Sequence, residues 1–137
     1  MCILNYVNGV WSIEPNQKAI KFWLYLFLIF VVHLIFGFAL VIFKSLILGL
    51  GEMSSSMFLL YAIIGFHFRP LLFYILINCI IQVIWICDLG YFIQQGKHIG
   101  GENLRDFIPW VILILFYFIN IYFAFNAYWE YKALYCE

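Results

Sequence analysis

Few side chains in this sequence could do chemistry, and their spacing decides what kind. The histidines His33, His67 and His98 lie far apart along the chain, and none opens the HExxH pattern in which two imidazoles one helical turn apart hold zinc. No GxSxG nucleophile turn occurs, and no glycine-rich phosphate loop follows a strand. Asp88 and Glu130 invite pairing as an acid/base couple. They close two successive apolar stretches, however, so an antiparallel turn between those stretches sends them to opposite membrane faces. Cys2, Cys79, Cys87 and Cys136 form no CxxC pair, and Cys79 and Cys87 lie inside an apolar stretch, which excludes a zinc framework and a secreted disulfide scaffold. Cys2 and Cys136 flank the apolar region as candidates for lipidation. The expectation is a protein that is not an enzyme, with no catalytic residue, no cofactor and no metal.

The remaining polar residues sit where water would not be. Leu71 to Ile93 is long enough to cross a bilayer yet carries Asn78, Gln82 and Asp88. His33 and Asn120 interrupt two other apolar stretches. Hydrophobic residues make up 67% of the chain and charged ones 10%, at a mean hydropathy of +1.03, against about 25% charged in soluble domains. With zero formal net charge and no basic block, the sequence points to a lipid bilayer and not to nucleic acid. The fold class expected is all-α: an integral membrane bundle of four transmembrane helices, over about 22–43, 46–66, 71–93 and 107–129, in a single domain of residues 1–137.

Met1 to Ile20 is mixed in character and is expected along the interface, with no removable signal segment, so that the first span directs insertion. Lys21 and Lys44 bracket the first span, and His33 shares a helical face with Gly37, where another helix can come close. The second span is the weakest, because Gly49, Gly51, Glu52 and Ser54 to Ser56 interrupt it. One solution places Lys44 to Glu52 in a loop and starts the helix near Met53; another breaks the helix at the glycines and serines, as transporters do around a binding site. Pro70 suits the first turn of the third helix, and Asn78 and Gln82, four apart, share one of its faces as interhelical glue worth about 0.6–2 kcal/mol each. Asn120, near mid-membrane on the fourth helix, is the expected partner of one of them. Asp88 is assigned to Lys44 or Lys97, and Glu130 to Lys21 or Arg69, as interfacial charge neutralisation. Gln94 to Asp106 reads as the one hydrophilic loop, after which Pro109 falls in the first turn of the fourth helix. Trp110 and Trp129 then stand about 28 Å apart, as an aromatic belt requires.

Four crossings place both termini on one side, with Lys18, Lys21, Arg69 and Lys132 there against Lys44, Lys97 and Arg105 opposite, so the termini are expected in the cytosol. From Ile121 to Leu134 the fourth span closes on aromatic residues, Trp129 and then Tyr131 and Lys132; with Gln82 and Asp88 in the third span, this half of the chain resembles the small four-span proteins of the lysosome-associated transmembrane group and related arthropod tetraspans. The resemblance implies an endomembrane adaptor or junction-type scaffold without catalysis. Tyr131 and Leu134 fit the Tyr-x-x-apolar sorting pattern of such proteins, whereas claudin cysteines and the Cys-Cys-Gly loop of true tetraspanins are missing. The leading expectation is thus a non-enzymatic scaffold, adaptor or trafficking component of an endomembrane or the plasma membrane, whose partners are other membrane subunits or further copies of itself. An accessory subunit of a large membrane complex, such as a respiratory chain or ATP synthase of the mitochondrial inner membrane, is the alternative. A channel or transporter is the third, if His33, Ser54 to Ser56, Asn78, Gln82 and Asn120 converge on one wet seam.

Overall fold

The computed structural model describes residues 16–95 and 102–136, with side chains for 16–95 and 108–135. Four helices follow in order: α1 (Gln17–Phe43), α2 (Leu46–Gly65), α3 (Phe68–Gln94) and α4 (Glu102–Cys136). All four are long and apolar enough to cross a membrane, and no strand occurs among the described residues. Each helix packs on two neighbours, α1 on α2, α2 on α3, α3 on α4 and α4 back on α1, while the diagonal pairs stay apart. The result is a square bundle whose axis is filled by side chains reaching inward.

The helix boundaries have local causes. Asn16 caps α1, its side chain accepting from the Ala19 amide at 2.7 Å, so this helix starts before the apolar run does. Between α2 and α3 only Phe66 and His67 intervene, and Phe66 takes the left-handed conformation, φ 53°, that ends α2. That conformation costs a side-chain-bearing residue roughly 1–2 kcal/mol. The Phe66 ring offsets it by packing edge-on against Tyr131 at 5.2 Å. Gly65 leaves room for the His67 ring, which a Cβ there would push aside.

Two points are decided here. First, the second span, expected over 46–66, is helix from Leu46 to Gly65 and continues unbroken through its glycines and serines, so neither the loop over Lys44 to Glu52 nor the broken helix weighed for it occurs. Its serines satisfy themselves: the hydroxyls of Ser54, Ser55 and Ser56 donate to the carbonyls of Leu50, Glu52 and Met53 at 2.7–2.9 Å. Gly49 is used for proximity, because a Cβ on it would stand 2.7 Å from the Gly37 carbonyl oxygen of α1. Second, α4 begins at Glu102, well before residue 107, so Pro109 lies inside the helix instead of in its first turn. The hydrophilic loop is correspondingly shorter than Gln94 to Asp106, and Lys97, with Cys2, lies outside the described residues.

Polarity is arranged inside out. Ile35, Ile47, Ile64 and Ile80 are among the apolar side chains turned outward. Inside, one apolar cluster gathers Leu26, Leu59, Leu71 and Ala124, and a second gathers Trp85, Leu113 and Tyr117. Along α1, His33 falls between Ile29 of the first cluster and Phe36 beside the second; along α4, Asn120 falls between Ala124 and Tyr117. A polar layer separates the two clusters.

Candidate functional site: a buried polar layer with one residue from each helix

His33 of α1 is fully buried and reaches three other helices. Its Nδ1 lies 2.8 Å from Glu52 Oε2 on α2. Its Nε2 lies 2.6 Å from the Tyr74 hydroxyl on α3 and 3.0 Å from Asn120 Nδ2 on α4. Tyr74 and Asn120 are fully buried as well, and Glu52 is 4% exposed. With the proton on Nδ1, that N–H donates to the carboxylate, and the single lone pair of Nε2 faces both the tyrosine hydroxyl and the asparagine amide. Phe116 and Tyr117 close over the ring at centroid distances of 5.2 and 6.0 Å, excluding lipid and shielding the bonds from competition.

Further along the axis the polar bonds become local. Asn78 donates to the Tyr74 carbonyl of its own helix at 2.7 Å, and Gln82 donates to the Ile114 carbonyl of α4 at 3.2 Å. Asn120 therefore turns to His33, and not to Asn78 or Gln82 as expected, because the imidazole offers an acceptor that neither primary amide needs to give up. Unpartnered buried oxygens remain on Glu52 (Oε1), Asn78 (Oδ1), Gln82 (Oε1), Asn120 (Oδ1) and the Tyr117 hydroxyl. A carboxylate or amide oxygen accepts and never donates, so of these only the Tyr117 hydroxyl can donate.

The other sequence candidates fall at the ends of the bundle. Asp88 is exposed and makes no ion pair with Lys44, which instead stands over the indole of Trp110 at 4.1 Å and that of Trp85 at 5.5 Å. Two π faces at short range give the ammonium an alternative to a carboxylate in a low-dielectric setting. Glu130 is half-buried and shares a groove of about 580 Å³ with Asn16, Lys18 and Trp129. Tyr131 of the Tyr-x-x-apolar pattern is fully buried and packs on Phe66, and Leu134 is half-buried. Cys79 and Cys87 are free thiols on the outer face of α3; Cys136 ends α4, its side chain outside the described set.

Sequence reading missed Glu52 and Tyr74. Glu52 carried a usable signal, as the lone carboxylate in the apolar stretch from Ser45 to Phe66; an ionisable residue inside a span calls for a partner. Tyr74 carried none, since its type suits any core. Among the described residues no group of three or more His, Cys, Asp or Glu is placed to hold a metal ion. Compared with protein-family models, curated proteins and solved structures, the chain matches none.

Proposed function

We propose that this chain is a non-enzymatic multi-pass membrane protein, with both termini in the cytosol, that works as a scaffold or adaptor through contacts between membrane helices. The observation that carries this reading is how the polar groups are spent. His33, Glu52, Tyr74 and Asn120 are consumed in fastening the four helices to one another, which leaves an apolar outer surface as the means of meeting a partner. The outer face of α4 carries one regular part of it, as the outer face of α1 does through Leu24, Leu28, Val31, Ile35, Phe38 and Ile42. On α4, Ile108, Ile112, Leu115, Ile119, Tyr122 and Trp129 are exposed at alternating spacings of three and four, with Asn126 filling the one gap. Such a stripe presents a seam to a second helix, and Asn126, whose amide bonds only the Tyr122 carbonyl of its own helix at 2.8 Å, adds a polar contact near its end.

The test is cysteine crosslinking in native membranes after Cys2, Cys79, Cys87 and Cys136 are replaced by alanine. Single cysteines at Ile112 and Ile119 should form crosslinked species at a defined mass, while cysteines at Ile35 and Ile80 on other helices should not. Uniform or absent crosslinking from every face, together with solute flux in vesicles of the purified protein, would overturn the scaffold reading. Crosslinking into one very large assembly would replace it with the accessory-subunit reading.

A further inference from the structure

The polar layer is closed toward α4 but not toward the outside of the α2–α3 pair. A crevice of about 110 Å³ runs between these helices, lined by Gly51 and Glu52 of α2 and by Ile81, Ile84, Trp85 and Asp88 of α3. Glu52 belongs to both the polar layer and this crevice. Its Oε2 is held by His33, whereas Oε1 is buried and has no partner in the protein. Asp88, exposed and closer to the end of α3, is the other carboxylate of the same crevice. A water occupies about 30 Å³ of liquid volume, so the space is of the right size for a few, with two carboxylates to bind them.

We propose that this crevice is the entrance to a proton-binding site in which Glu52 Oε1 takes up a proton carried by water that enters past Asp88. The step balances simply: a hydronium ion gives its proton to Oε1 and leaves as water, and no other bond is broken. His33 keeps its Nδ1–H bond to Oε2, because the carbonyl oxygen of a protonated carboxyl still accepts. The proton therefore neutralises a buried charge without unfastening α1 from α2. It also supplies a donor to a layer in which the free oxygens of Asn78, Gln82 and Asn120 only accept and, among the unpartnered groups beside them, the Tyr117 hydroxyl can donate. The titratable and charged groups around Glu52 are few: His33 from α1, with Lys44 at the end of that helix, and Tyr74 and Asp88 from α3; Tyr117 of α4 closes over the far side of His33. Lys44 stands over Trp110, and among the described residues no side chain bonds Oε1. A proton fits the site better than a metal ion does, since the acidic and imidazole groups are too few and too spread to ligate one. The site stands apart from the scaffold reading and would persist if the α4 seam met no partner.

Gly51 makes the proposal testable without touching the polar layer. A Cβ added there meets nothing within 4 Å, so a larger side chain can enter the crevice without displacing its walls. Full-length protein in phosphatidylcholine vesicles is treated with dicyclohexylcarbodiimide, a lipid-soluble reagent that adds to protonated carboxyls, and peptide mass spectrometry locates the adduct. The expected result is modification of Glu52 that rises as bulk pH falls. Gly51→Leu should slow it several-fold at every pH while thermal melting of the protein is unchanged. Three results would overturn the proposal: Glu52 unmodified while Asp88 is modified in the same digest, modification independent of pH, or an unchanged rate in folded Gly51→Leu.

Discussion

The bundle contains two buried or half-buried pairs of histidine and tyrosine, and they sit in opposite physical situations. His33 meets Tyr74 in the middle of the bundle, with Glu52 and Asn120 completing a set drawn from four helices. His67 meets Tyr135 at one end, where the two-residue link between α2 and α3 passes the last turns of α4. There the Tyr135 hydroxyl donates to the Gly65 carbonyl at 2.8 Å and lies 3.3 Å from His67 Nδ1, and the His67 ring stacks between Tyr61 and Tyr135. The first pair holds whole helices in register; the second fastens one turn. In the first, the four side chains are buried and bonded to one another across the helices, so each bond depends on the others. In the second, ring stacking supplies much of the contact and the head-group region can solvate what is left over.

The sharpest way to break this comparison is to remove one member of each. His33→Ala leaves the Glu52 carboxylate buried and unpaired, which should cost about 3 kcal/mol or more in unfolding measured in mixed detergent micelles. Replacing both residues, His33→Leu with Glu52→Leu, should recover most of that loss, since an apolar pair leaves no charge stranded. If the single variant is nearly neutral, the polar layer is not what fastens the helices. Next in size is Gly49→Val at the α1–α2 crossing. The added methyls would press on the Gly37 carbonyl and on Val41, for a loss of about 2 kcal/mol by the same measurement. Tyr74→Phe is milder, at about 1 kcal/mol, because Asn120 remains as a donor to His33 Nε2. A Tyr74 effect as large as that of His33 would mean that α3, and not the α1–α2 contact, organises the layer.

How much of this was legible in the sequence follows from what each residue's type announces. Apolar length alone located four helices, and Pro70 and the tight α2–α3 link were readable because proline and short loops leave few geometries. His33, Asn78, Gln82 and Asn120 stood out because polar side chains in apolar runs need partners. Which partners they take was hidden, since helix rotation decides it and a bundle of near-uniform apolar helices has little sequence asymmetry to fix rotation. Glu52 was lost for a different reason. Glycines and serines around it resemble a loop, and only the structure reveals that the serines bond back to their own helix and that Gly49 serves close approach. Depth offered a route to it: His33 lies ten residues before the end of α1 and Glu52 six after the start of α2, a difference of about 6 Å along the two arms of a hairpin. A glutamate side chain and a modest tilt close that distance.

The end of the bundle should respond to pH in a way that the residues around His67 dictate. Burial holds the His67 imidazole below its ordinary value of 6.5, so the folded state binds a proton less readily than the unfolded chain does. Between the two values the unfolded state carries more protons, and stability rises with pH there. The contribution is therefore complete above pH 6.5 and is lost as pH falls through 6.5 toward the lowered folded value. It should be small, because His67 is only half-buried and a charged ring can still donate from Nδ1 to Tyr135. The measurement is unfolding as a function of pH for the wild type and for His67→Phe, which keeps the ring between Tyr61 and Tyr135 but cannot titrate. Loss of the acid-side slope in His67→Phe, with the modification of Glu52 unaltered, assigns that slope to the link. An undiminished slope would assign the pH response to the interior instead, and the division of labour between the two histidines would have to be redrawn.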